Sequence, residues 1–370
     1  ETGTSRSEID SVFSYIDYTL GDNVENLTLS GAANLTATGN ALNNELTGNA
    51  GDNVVDGGLG ADIMTGGAGN DIYIVDNVGD VVIETRALYS EIDTVQSSIS
   101  YTLGANVEDL ILTGTADINA IGNALGNILV GNSGNNQLNG GGGIDAMIGG
   151  DGNDAYALDQ GAELGLIREY VNQGNDTLIT LFNANAQYNL IDLSQSNLQN
   201  VENVTVLGTG AFTIAGNSLN NVLVGNADAN FINGGQGADT MTGGAGNDTY
   251  IVDNVNDAVI EAGASLTEID TVYSYIDYTL GDNLENLNLA GEANLNATGN
   301  ARNNAIYGNA GNNVLDGGVG ADYMAGGFGN DTYIVDNTGD VIFEDWDLVG
   351  VVDTVRASVS YALSANLENL

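Results

Sequence analysis

Histidine, cysteine, lysine and proline are all missing from this 370-residue chain. Without histidine, Ser-His-Asp and Cys-His arrangements and the HExxH metalloprotease helix are excluded. Without cysteine there are no disulfides and no thiolate metal sites. That leaves the compartment open, because a bound metal can staple a secreted chain instead. Without lysine there is no GK[ST] phosphate loop, for all the glycine present. The lack of proline suits a ladder in which every strand is hydrogen-bonded on both edges. Basic charge is scarce: five arginines stand against 50 acidic residues, for a net charge of -45. Nucleic acid needs a basic footprint and is excluded as a partner. Docking to an anionic membrane is disfavoured, and no apolar run is long enough for membrane insertion. Cations are the natural counterparts. No signal peptide opens the chain, which fits secretion by a signal lying beyond Leu370 and fits a truncated chain equally.

What is present is glycine, 53 residues of it, together with 42% hydrophobic residues in short bursts. A disordered acidic tail would lack those bursts. The stretch Gly57–Ile74 reads GGLGADIMT and then GGAGNDIYI. Each nine-residue unit opens with a glycine pair, places Asp sixth and puts a large apolar residue eighth, as a turn followed by a very short strand would. The pair recurs at Gly140–Leu158, Gly234–Val252 and Gly317–Val335. A nine-residue beat has no 3.6 periodicity, so helix is not expected.

A longer repeat contains these pairs. The Asp-Thr or Asp-Ser anchors Asp10, Asp93, Asp176, Asp270 and Asp353 are spaced by 83, 83, 94 and 83. Unit starts fall near Glu1, Glu84, Ile167, Glu261 and Glu344, giving units 1–83, 84–166, 167–260 and 261–343 and a partial unit 344–370. The third carries 11 extra residues between Asp176 and Gly208, expected as a protruding loop or an extra strand pair over Phe182–Asn197. SYIDYTLGDN occurs at Ser14 and again at Ser274, so the order reads A-B-C-A-B. Both ends fall inside a repeat and neither has a capping unit, so the chain is expected to be one continuous solenoid cut from a longer array.

The pattern G-G-x-G-x-D-x-U-x is that of the calcium-binding nonapeptide of a parallel β-helix. On these residues the chain resembles the RTX (repeats-in-toxin) family of secreted bacterial proteins. The resemblance implies an all-β, right-handed parallel β-roll, type I secretion, and folding triggered by calcium outside the cell.

In a β-roll, consecutive nonapeptides lie on opposite edges, so equivalent residues stack every second turn. Position eight (Leu46, Val55, Met64, Tyr73, Val82 in the first unit) should fill a narrow core between two sheets. The four methionines Met64, Met147, Met241 and Met324 share one turn of their units and read as core filling rather than a soft-metal column, since thioethers bind calcium poorly. Position six should hold the metal: Asp62, Asp71 and Asp80; Asp145 and Asp154; Asp239, Asp248 and Asp257; Asp322, Asp331 and Asp340. Asp62 should face Asp80, and Asp71 should face Asn53. Two carboxylates one rung apart, about 4.8 Å, repel by roughly 0.9 kcal/mol even in water. A hard divalent cation reverses that sign. The glycines expected to shape these turns and offer carbonyl ligands are Gly58, Gly60, Gly67 and Gly69; Gly141, Gly143, Gly150 and Gly152; Gly235, Gly237, Gly244 and Gly246; Gly318, Gly320, Gly327 and Gly329. Flexible sites rich in carbonyls suit calcium better than magnesium, at two or three ions per unit. The earlier turns carry Asn at position six (Asn44, Asn53) and are expected to hold together without metal through amide ladders.

Every candidate Asp recurs from unit to unit, which suits a scaffold better than an active site. The expected role is therefore a non-enzymatic, calcium-dependent structural segment of a secreted protein: an S-layer, matrix filament or adhesin stalk that associates with itself or with neighbouring repeats. Two alternatives stand beside it. One is the C-terminal secretion module of a protease, lipase or toxin; the other is a carbohydrate- or ice-binding adhesin domain using the insertion of the third unit.

Overall fold

The computed structural model of the chain describes residues 9–85, 91–261, 267–344 and 351–370; the first unit start, Glu1, lies outside them. The chain forms two compact units, 1–181 and 182–370, each a parallel β-solenoid. The point of division lies within the third sequence repeat.

In the first unit the chain alternates between facing sheets. One comprises Ser11–Ser14, Asn26–Leu29, Glu45–Thr47, Ile63–Thr65 and Val81–Val82. The other includes Thr36–Asn40, Val54–Gly58, Ile72–Val75, Thr94–Ser97, Asp109–Leu112, Ile128–Val130 and Ala146–Ile148. All of these neighbours pair in parallel. Within the glycine-rich tract the step from rung to rung is 18 residues, so that Leu46 lies against Met64 and Met64 against Val82. On the opposite sheet Val55 lies against Tyr73, which lies against Val95.

Short strands alternate inward and outward residues; the inward apolar positions form the core, and several outward positions, Ile63, Ile128 and Phe231 among them, are apolar as well. Leu46, Val55, Met64 and Tyr73 are fully buried, as are Met147, Met241 and Met324. Each methionine is core, stacked against aliphatic neighbours such as Leu46 and Val82 for Met64 and Leu129 and Ile167 for Met147. The tight turns explain the glycine. Gly58 has φ +74 and Gly67 φ +112, the left-handed region, where a Cβ would also run into the carbonyl of Asn40 or Asn49 on the preceding rung. Of the sixteen glycines expected to shape the turns, only Gly320 is absent from that region; a Cβ there would still meet Arg302 O at 2.5 Å.

Among the described residues each repeat contributes nine strands, an odd number: Ser11 to Val82 in the first and Thr94 to Arg168 in the second. Met64 and Met147, equivalent in sequence, therefore stand on opposite sheets of the first unit.

The second unit follows the same plan, with Val222–Val224 and Thr240–Thr242 on one sheet and Phe231–Asn233 and Thr249–Val252 on the other. Of the two expectations for the insertion, an exposed loop is present over residues 183–189 and the added strand pair is not. Leu190–Asp192 is a single strand that pairs in parallel with Thr213–Ala215 as an ordinary rung. Ile191, Leu193, Leu198 and Val201 are fully buried, and Phe182 meets Phe212 edge to face at 5.8 Å. Between Thr180 and Leu190 the chain runs as a largely exposed loop, with Asn183, Asn185, Ala186, Gln187 and Asn189 at the surface, and only Phe182, Ile191 and Leu193 of the insertion are drawn inside.

Candidate metal centre

The position-six residues form ladders along the solenoid edges. Each backbone N–H donates to the carboxylate one rung further on: Asn44 N to Asp62 Oδ1 at 2.6 Å and Asp62 N to Asp80 Oδ1 at 3.0 Å. On the other edge Asn53 N donates to Asp71 Oδ1 at 2.7 Å and Asp71 N to Asp93 Oδ1 at 2.8 Å. The expected pairings of Asp62 with Asp80 and of Asp71 with Asn53 are both present. The other repeats copy the ladder, as in Asn136 to Asp154 (2.8 Å), Asn221 to Asp239 (2.7 Å) and Asn313 to Asp331 (2.7 Å).

One oxygen of each such Asp is thus satisfied and the other is not. Oδ2 of Asp62, Asp71, Asp145, Asp154, Asp239, Asp248, Asp322 and Asp331 is buried with no hydrogen-bond partner. These are the eight aspartates of the complete GGxGxD turns. A buried, unpartnered carboxylate oxygen is costly, and a cation is the ligand that relieves it. Burial is also the main reason these groups resist ionisation, with neighbouring carboxylates adding to it. The Asp62 pKa is pushed up to about 6, and those of Asp71 and Asp154 to about 7.

Asp80, Asp257 and Asp340 differ from the other expected ligands. Asp80 Oδ1 takes the ladder bond while Oδ2 accepts from Asp76 N (3.2 Å) and Asn77 N (3.0 Å), closing a shorter turn. Asp257 and Asp340 do the same. In the second repeat Glu163, within the 3-10 turn Gly161–Gly165, plays this part by accepting from Asp159 N at 3.0 Å. Asp145, Asp159 and Glu163 there offer oxygens within 4.8 Å of one another.

The Asn turns need no cation. Asn53 Oδ1 accepts from Asn49 N at 2.7 Å and its Nδ2 donates to Asn49 Oδ1 at 3.2 Å. Asn136 accepts from Asn132 N and donates to Ile118 O at 2.7 Å. The amides latch onto their own turn and the preceding backbone rather than stacking amide on amide, because the turn supplies closer partners.

Four further carboxylate groups were not foreseen as sites. Asp71, Glu84 and Asp93 place ligand oxygens within 4.8 Å of one another, as do Asp154, Glu169 and Asp176; Asp248, Glu261 and Asp270; and Asp331, Glu344 and Asp353. In each, a buried tyrosine hydroxyl donates to the glutamate: Tyr73 to Glu84, Tyr156 to Glu169, Tyr250 to Glu261 and Tyr333 to Glu344. Burial raises the pKa of Glu84 to about 7 and of Glu169 to about 8. The signal was in the sequence. The four aspartates are the anchors that reveal the long repeat, and Glu84, Glu261 and Glu344 stand at unit starts.

Compared with known families, the chain matches the RTX calcium-binding nonapeptide repeat in four copies, at residues 38–73, 121–156, 215–250 and 298–333. Among curated proteins there is no match.

Proposed function

We infer, from the premise that four RTX calcium-binding nonapeptide repeats make this a calcium-binding chain, that it is a calcium-folded structural segment of a secreted protein. The observation that carries the reading is the set of eight buried Asp Oδ2 atoms without partners. Asp62, Asp71, Asp145, Asp154, Asp239, Asp248, Asp322 and Asp331 would hold the ions, with the adjacent glycine turns. Asp80, Asp257 and Asp340 end one ladder of the first, third and fourth repeats, with both oxygens already engaged with backbone. Calcium supplies positive charge and several oxygen contacts, which suits closely spaced carboxylates.

The charge distribution gives the segment its switch. In a calcium-poor cell interior the aspartates repel and the chain stays extended and exportable; outside, at calcium levels near those that fill extracellular modules, binding drives folding. Among the described residues no helix is long and apolar enough to cross a membrane. The role is architectural rather than catalytic, as an S-layer, filament or stalk. Its buried carboxylates recur at the same place in each repeat.

The test is far-ultraviolet circular dichroism with calcium and with excess chelator. Loss of the β signal on chelation and its return with calcium support the reading. An unchanged spectrum in chelator refutes it.

A further inference from the structure

The Asp-Glu-Asp groups lie where each nonapeptide tract hands over to the next repeat. Glu84, Asp93 and their counterparts lie outside the four segments that match the nonapeptide repeat. The register shows what has changed there. Thr65 is followed by Gly66, and the residue one rung beyond Gly66 is Glu84, because Met64 pairs with Val82. By the same register Glu169 lies beyond Gly149, Glu261 beyond Gly243 and Glu344 beyond Gly326. In all four repeats the glycine that opens a turn is replaced, one rung on, by a glutamate whose carboxylate turns inward.

The inward space is shaped for a ligand. A Cβ on Gly149 would meet Asp154 Oδ2, the Tyr156 hydroxyl and Glu169 Oε1, so these three oxygens converge over one Cα. Gly66, Gly243 and Gly326 are enclosed by their own Asp Oδ2 and tyrosine hydroxyl in the same way. Oδ2 of Asp71, Asp154, Asp248 and Asp331 is buried and unpartnered, with those side chains about 1% exposed. A lone turn-turn pair such as Asp62 and Asp80 brings two carboxylates, one already occupied. Each junction brings three.

We propose that Asp71, Asp154, Asp248 and Asp331 hold their ions in the junction triads rather than in turn-turn pairs, one calcium ion between Asp71, Glu84 and Asp93 or their counterparts, so that the triads form a class distinct from the Asp62-type sites. The proposal rests on the calcium reading above and assigns residues beyond the nonapeptides. Glu84 lies at the end of the finished tract and Asp93 at the start of the next repeat, so an ion held by both, and by Asp71, fastens the new repeat to the old one. With one more carboxylate than the ladder pairs, the triads fill at lower calcium than the ladders do.

The experiment replaces the glutamates in the full chain (Glu84→Gln, Glu169→Gln, Glu261→Gln and Glu344→Gln) and counts bound calcium by equilibrium dialysis and atomic emission. The expected result is four fewer ions, one per triad, and loss of the tightest-binding class with the β signal kept. An unchanged count and unchanged tight class overturn the proposal. A parent chain that binds no calcium overturns the calcium reading, and the proposal with it. If the fourfold variant does not fold, Glu344→Gln alone is expected to lose one ion, and an unchanged count again refutes. Terbium gives a second readout, since Tyr73, Tyr156, Tyr250 and Tyr333 touch the glutamates. Tyrosine-sensitised terbium emission should appear with the first ions added and fall several-fold when these four become Phe. Emission unaffected by those substitutions refutes the placement.

Discussion

Removing calcium and then lowering the pH should refold the chain. In each junction triad three carboxylates lie within 4.8 Å of one another. If all three are ionised, each pair costs about 3 kcal/mol at an effective dielectric near 20, or roughly 10 kcal/mol per triad. A whole domain is stable by only about 5–15 kcal/mol. The metal-free fold therefore survives only if protons replace the cations. The pKa values give the direction. Burial first, and neighbouring carboxylates second, push Asp71 up to about 7 and Asp62 to about 6 from an ordinary 3.8. A carboxylate whose pKa is higher folded than unfolded favours folding fully below the unfolded value, and that contribution is lost as pH rises through the folded value. Chelated protein should thus show little β signal at about pH 7.5 and regain much of it near pH 5, with the midpoint between about 4 and 7. Circular dichroism with sedimentation is the assay, since the isoelectric point of about 4.1 invites precipitation at the acid end of that window. In saturating calcium the slope reverses, because acid displaces the ions. A chelated chain equally folded at both pH values, or folded only at the higher one, would refute the electrostatic argument.

Other expectations can be checked by denaturant or thermal unfolding in saturating calcium. Gly67→Ala forces a left-handed φ of +112 on a residue with a Cβ facing Asn49 O and should cost about 3 kcal/mol. Met64→Ala empties a fully buried core position and should cost about 2–5 kcal/mol, while the number of bound ions stays the same by dialysis. Asn136→Ala strips partners from Asn132 N and Ile118 O and should cost about 2–4 kcal/mol, again with the ion count unchanged.

The fold was legible in the sequence because a solenoid is local. The 18-residue step between rungs is a sum of two nonapeptides, and the inward column from Leu46 to Val82 could be read off the beat directly. The ladder aspartates were legible for the same reason. What escaped reading breaks the beat. Asp71 meets a partner 22 residues away rather than 18, so Asp93 fell outside the counted register, and Glu84 kept the register but occupies a glycine's place. Side-chain economy was also hidden: the Asn turns looked able to stack, yet Asn53 bonds within its own turn. Tyr73 read as core, which it is, but its hydroxyl also reaches Glu84. The length of the insertion was legible as a loop, but which of its residues, Phe182, Ile191 and Leu193, are drawn inside was not.

The odd strand count of the repeat carries a consequence for how such a chain can be decorated. Ile63 of the first repeat and Ala146 of the second hold equivalent places, yet they face outward from opposite sheets. A substitution copied into both repeats is therefore displayed once to each side. A one-sided sticky surface requires alternate repeats to diverge in sequence, whereas a uniform array presents two like sides and has no preferred side for a neighbour to bind.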